Sequence, residues 1–491
     1  MIASTTAGKV KGLEKGSVHQ FRGIRYATAE RFGLPRPVES WSDVLDATSF
    51  GPIAPQNDSP LENMLGAQDV PSSEDCLFLN VFTPGLDDGA RSVLVWIHGG
   101  GFTAGSGSVP WYDGSRLAER GNVVVVSLNY RLGALGFLSV DGFPGSGTLG
   151  LADQIAALEW VRDNIAAFGG DPAKVTIFGE SAGGMSVGAL LGAPGAAGLF
   201  RAAVPQSGTG AYVHSAESAE EVAASMLQAL NGNDAGVLVD ATVPQLLEAQ
   251  QAVMGNVRLT RTGFLPFMPS VDGVVLDRPP ADAVRDGSAA NVRVLVGTTT
   301  DEWNLFHVME RMQGEFDEVK LRRRIDVVLG DRADDLLDVY REQRPGATPD
   351  DLWCAIATDW VFRMPAIRLL ETQSKHQPDT WAYEMTYKSR AFDGALGACH
   401  AIDVPFVFDN LRRGGVDFLL GGVDDEANTL AAQMSGAWLA LASTLSPEHD
   451  MLPQWRPYQS GDRAVMAFGR QTTVEVDPRA AEREAWAEIV A

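Results

Sequence analysis

Cysteine is scarce in this chain: three in 491 residues, Cys76, Cys354 and Cys399. An odd, sparse set is not a disulfide framework, and no C-x-x-C pair offers a zinc or redox motif. No run of about 18 apolar residues is present, so no membrane-spanning helix is expected. The opening MIASTTAGKVKG lacks the apolar stretch of a secretion signal, and the protein is expected to be cytoplasmic. Basic residues are few, 39 Lys and Arg against 63 Asp and Glu, a net charge of −24. Nucleic acid and anionic membrane both need a basic footprint, so neither is expected as a partner. H-E-x-x-H and phosphate-loop sequences are missing, and no metal or organic cofactor is implied. GSGTLG (145–150) does spell G-x-G-x-x-G. The VDGFP before it reads as a turn rather than a strand, so a dinucleotide site fails on context.

What the chain does have is a series of short apolar runs separated by helical patterns. SVLVWIHGG (92–100), NVVVVSLNY (122–130), VTIFG (175–179), AAVPQSG (202–208), RVLVGTT (293–299) and WAYEMTY (381–387) are the main ones. Continuous β-branched runs, as opposed to alternating ones, suit parallel strands covered on both faces. Between the second and third lies Leu151 to Phe168, where Leu151, Ile155, Leu158, Val161 and Ile165 form one apolar stripe on a helix. Gly169-Gly170-Asp171-Pro172 ends it. Strand, helix, strand predicts a parallel α/β unit. Two polar helical regions, roughly 215–255 and 303–376, interrupt the series. They read as excursions over the sheet within a single domain spanning 1–491.

One serine stands out, Ser181 in IFGESAGGM (177–185). G-x-S-x-G should arise by chance on the order of 0.3 times in a chain this long, so the motif needs context. Here a strand precedes it and a helix-like SVGALLGA follows, as a nucleophile elbow requires. Gly179 and Gly183 omit side chains that would clash across the turn. The helix start after Ser181 aims N–H groups at developing negative charge. Such a serine needs a base. Of seven histidines, His400 follows the last strong strand run and sits between a glycine-rich turn and an apolar run. The other six read as structural or surface residues. The acid should follow a strand between serine and histidine, and RVLVGTTTDEW offers Asp301 or Glu302 there. WIHGGGF (96–102) ends a strand in three glycines, whose N–H groups can approach a ligand closely.

These motifs together resemble the type-B carboxylesterases of the α/β-hydrolase fold, a family that includes bacterial para-nitrobenzyl esterases and animal cholinesterases. The resemblance runs from GKVKG and FRGIRYA through SEDCLFLNVFTP, VWIHGGGF, NYRLGALGF and FGGDPAKVTIFGESAGG. It continues in PQSG, FMPSVDG, GTTTDEW, GALGACHAIDVPFVF and LPQWRPY. It implies a central, mostly parallel sheet flanked by helices, with helical excursions over the active site. It implies Ser181 as nucleophile, His400 as general base and acid, and Glu302 rather than Asp301 as the third member. Gly100, Gly101 and Ala182 would form the oxyanion hole, with Glu180 and Ser207 in support. Arg31 with Glu74 and Arg131 with Asp153 match the family's structural ion pairs.

The sequence departs from the family in places. Trp303 stands after the acid where glycine is usual, and its ring is expected to narrow or roof the pocket. Cys76 matches a disulfide position of secreted members but has no cysteine before it. Asn57 to Ser73 contains no tryptophan, which argues against choline-ester specificity. The implied reaction is hydrolysis of a small-molecule carboxylic ester through an acyl-enzyme. Carbamate or aryl-amide cleavage by the same serine is the alternative, and a catalytically silent interaction protein a remote one. Trp111, Phe264, Phe267, Met268, Trp303 and Phe306 lie near expected pocket segments and suggest a hydrophobic substrate of modest size. A monomer or homodimer is expected.

Overall fold

The computed structural model describes residues 1–59, 66, 70–256, 265–311 and 315–489. Its centre is an eleven-stranded sheet. In chain order the strands are β1 (Leu13–Lys15), β2 (Val18–Arg25), β3 (Phe78–Thr83), β4 (Arg91–Ile97), β5 (Val124–Leu128) and β6 (Gly170–Glu180). They continue as β7 (Ala202–Gln206), β8 (Arg293–Thr299), β9 (Thr380–Met385), β10 (Ala464–Phe468) and β11 (Thr473–Val476). Across the sheet the order is β11-β10-β9-β8-β7-β6-β4-β5-β3-β2-β1.

From β10 to β5 every neighbouring pair is parallel. The outer strands β1, β2, β3 and β11 pair antiparallel. All residues of β5, β7 and β9 are buried, as the unbroken apolar runs require of strands with helices on both faces. The six runs read as strands are strands. The stripe at 151–168 is a helix α1 (Leu149–Asn164) closed by a 3-10 turn (Ile165–Phe168), and Gly169 takes the left-handed φ of 76° that stops it.

Two sets of helices leave the sheet and return to it. After β7 come α2 (Ala216–Ala229), α3 (Ala235–Asp240) and α4 (Val243–Asn256). After β8 come α5 (Asn304–Arg311), α6 (Glu318–Leu329), α7 (Ala333–Gln343), α8 (Pro349–Thr358) and α9 (Met364–Gln373). A π-helical turn, Asp359–Arg363, joins α8 to α9. Its Asp359 accepts bonds from Tyr340 Oη and Arg363 Nη1, and Trp486 Nε1 donates to Tyr340 Oη at 2.8 Å. The turn is thereby tied to the last helix of the chain. Arg131 and Asp153 are buried and bonded side by side, Nε to Oδ2 at 2.8 Å and Nη2 to Oδ1 at 2.7 Å. Arg31 pairs with Glu74. Among the described residues no helix is long and apolar enough to cross a membrane.

Candidate active site

Strand β6 runs straight into the helix Ala182–Leu190, with Ser181 at the junction. Ser181 is held at φ 58° and ψ −125°, a strained conformation for a residue with a side chain. The turn can be this tight because glycines line it. A Cβ on Gly179 would stand 2.6 Å from Ile97 O and 2.7 Å from Gly183, and one on Gly183 would collide with Ile97 O. The backbone after β7 buttresses the turn from below, since Ser181 N–H donates to Gln206 O at 3.0 Å. Ser207 follows, fully buried at φ 45°, with its N–H donating to Gly297 O at 2.8 Å. Its Oγ bonds none of the described residues, so its loop meets the elbow through the backbone.

The end of β8 supplies the carboxylate. Glu302 is fully buried, and its Oε1 accepts the Thr299 N–H at 2.8 Å. Its Oε2 lies 2.6 Å from His400 Nδ1. Asp301 points elsewhere: its Oδ2 accepts from Ala398 N–H at 2.8 Å and pins the loop that presents His400. The two acidic residues therefore divide the work, one orienting the imidazole and the other its loop. With a carboxylate at Nδ1, that nitrogen carries a proton and Nε2 faces the cavity.

Nε2 stands 3.0 Å from Glu180 Oε1, at an angle that makes no hydrogen bond. Burial pushes the His400 pKa down, but Glu180 and Glu302 outweigh it and hold it up at about 9. Two tilted aromatic rings also pack against the imidazole, with centroids 4.7 Å (Phe362) and 5.1 Å (Phe306) from it. Phe362 belongs to the π-helical turn and Phe306 to α5, so two elements of the excursion after β8 touch the histidine.

Opposite lies the glycine loop. Gly100 has φ 110°, and a Cβ there would collide with Ala104 O. No described residue accepts the N–H of Gly100, Gly101 or Ala182. His98 anchors the loop from behind. Its ring stacks on Tyr130 at 4.5 Å and its Nδ1 lies 2.8 Å from Gly99 O. Burial lowers the His98 pKa to about 4, so it is a neutral structural group.

Ser181, Glu180, His400 and the glycines share one cavity of about 440 Å³. Its walls are mostly apolar, with Trp111, Met185, Leu265, Leu305, Phe306 and Phe362 among them. Trp303 is not part of the wall, contrary to expectation. It packs behind, 5.1 Å from Phe306 and 6.2 Å from Trp353, because its position at the start of α5 turns it into the helical layer. Phe267 and Met268 are likewise core residues. Phe264 lies outside the described residues. Phe362 and Gln250, both in the wall, were not singled out from sequence. Neither lies in a recognisable motif, and only the chain's return over the sheet brings them to Ser181.

A mostly parallel sheet with a serine elbow at the end of a central strand is the α/β-hydrolase fold. The chain belongs to the carboxylesterase family, whose model matches residues 1–486. It is 38% identical over 497 residues to the para-nitrobenzyl esterase of Bacillus subtilis, covering 98% of each chain. It is 34% identical to the phenmedipham hydrolase of Pseudarthrobacter oxydans, with 95% of each covered. A crystal structure of a carboxylesterase from Geobacillus stearothermophilus superposes with a TM-score of 0.89 at 37% identity, covering 99% of both chains.

Proposed function

We propose that the protein hydrolyses carboxylic esters through an acyl-enzyme on Ser181. The observation that carries this reading is the buried Glu302–His400 pair, 2.6 Å apart, in the wall of the cavity that also holds Ser181. His400 Nε2 takes the Ser181 proton as Oγ attacks the ester carbonyl. The carbonyl electron pair moves to oxygen, and the N–H groups of Gly100, Gly101 and Ala182 receive that charge. Collapse of the intermediate expels the alcohol, which His400 protonates. A water molecule then repeats the sequence and releases the acid. Glu302 keeps the imidazole oriented and stabilises its charged form.

Because the His400 pKa sits at about 9, the base form grows as pH rises, and activity climbs toward the alkaline side. The mostly apolar wall suits esters with hydrophobic groups. Replacing Ser181 with alanine tests the assignment. Hydrolysis of para-nitrophenyl acetate should drop by at least about a thousandfold, since triad members act as a unit. A variant with the wild-type rate contradicts the mechanism. Matched aryl carbamates in the same assay separate an ester preference from a carbamate one.

A further inference from the structure

The wall of the cavity carries three amide side chains, Asn57, Gln250 and Gln251, and of these Gln250 is the buried one at 2% exposure. It projects from α4, in the excursion after β7. Its Oε1 accepts the backbone N–H of Ala134 at 3.0 Å. An amide can take that proton only through its carbonyl oxygen, so the bond fixes which way the group faces. Gln250 lines the cavity, and its NH2 end donates to no described residue.

The chain is shaped around this contact. Gly133 has φ 54°, and a Cβ there would collide with Gln250 Oε1. Gly133 in turn donates to Phe102 O at 2.7 Å, next to the glycine loop. The backbone that orients the amide is thus hydrogen-bonded to the residue that follows Gly101. A donor on a buried side chain that lines a mostly apolar cavity has a cost unless something accepts from it.

We propose that Gln250 is a specificity-determining residue. Its NH2 group would donate to an acceptor on the substrate, away from the scissile bond, so that the site favours esters carrying a second carbonyl or similar oxygen over plain hydrocarbon esters. This rests on the ester-hydrolase reading and names its substrate class. A site built to donate a hydrogen bond discriminates against an analogue without the acceptor more sharply than an apolar pocket does.

Two matched pairs test it: methyl 5-oxohexanoate against methyl hexanoate, and 4-oxopentyl acetate against pentyl acetate. For each pair the ratio of kcat/KM, oxo over plain, is measured in wild type, Gln250→Glu and Gln250→Met. The glutamate keeps an acceptor for Ala134 N–H and removes the donor; the methionine removes both. The ratio should fall about tenfold in both variants for at least one pair, the worth of one hydrogen bond. Equal ratios in all three proteins, for both pairs, overturn the proposal. Failure of the wild type to hydrolyse any of the four esters overturns the ester reading, and this one with it.

Discussion

Glu180 Oε1 stands 3.0 Å from His400 Nε2, on the opposite side of the imidazole from Glu302. One histidine is thus flanked by two buried carboxylates. Burial alone would favour the neutral ring, and the two charges reverse that preference. A base held between carboxylates is strong but largely protonated near neutral pH.

The first prediction follows from that balance. Glu180→Gln removes one charge that raises the His400 pKa. The rising limb of kcat/KM against pH should therefore move to lower pH than in wild type, where it is centred near 9. An unmoved limb would show that Glu180 does not govern the titration.

The same shift has a consequence for stability. A histidine with a raised pKa contributes stability that is fully present below its unfolded value of about 6.5 and is lost as pH rises through about 9. The denaturation midpoint should accordingly decline across that window, and Glu180→Gln should flatten the decline. Urea midpoints measured across the window in both proteins read it directly.

Phe362 should matter through His400. Its ring is 4.7 Å from the imidazole and is delivered by a π-helical turn, an element that often marks functional positions. Phe362→Ala removes one of the two rings packed against the imidazole. We expect kcat to fall by about ten- to a hundredfold, as misplacement of a catalytic group does, with Phe362→Tyr retaining most of the rate. Steady-state kinetics on a single para-nitrophenyl ester would measure this. Loss of rate in the tyrosine variant equal to that in the alanine one would contradict a packing role.

Arg131 and Asp153 test the frame around the site. Arg131→Met leaves Asp153 buried without its cation, and breaking such a pair costs about 3–5 kcal/mol. Chemical denaturation of the variant should show a loss of that order. A change within about 0.5 kcal/mol would place the pair among ordinary surface charges.

The central strands were legible in the sequence because β5, β7 and β9 are buried on both faces and need unbroken apolar runs. Shorter outer strands such as β1 and β11 have exposed residues and no such run, and only their hydrogen-bonded neighbours define them. Ser181 and the glycines were readable because a tight turn restricts residue choice. Asp301 and Glu302 could not be told apart by chemistry, since both follow the same strand and only geometry sends one to the imidazole and the other to Ala398. Trp303 misled for a related reason: adjacency in sequence to a site residue does not fix the direction of a ring. Gln250 and Phe362 come from excursion segments whose approach to Ser181 depends on tertiary packing.

The account rests on a covalent bond forming at Ser181 Oγ. Rapid quenching of the enzyme with para-nitrophenyl acetate, followed by peptide mass spectrometry, tests it most directly. The account predicts an acetyl group on the peptide containing Ser181, formed with a burst of para-nitrophenol and missing from Ser181→Ala. Turnover of the ester with no adduct and no burst, or an adduct confined to another residue, would contradict it.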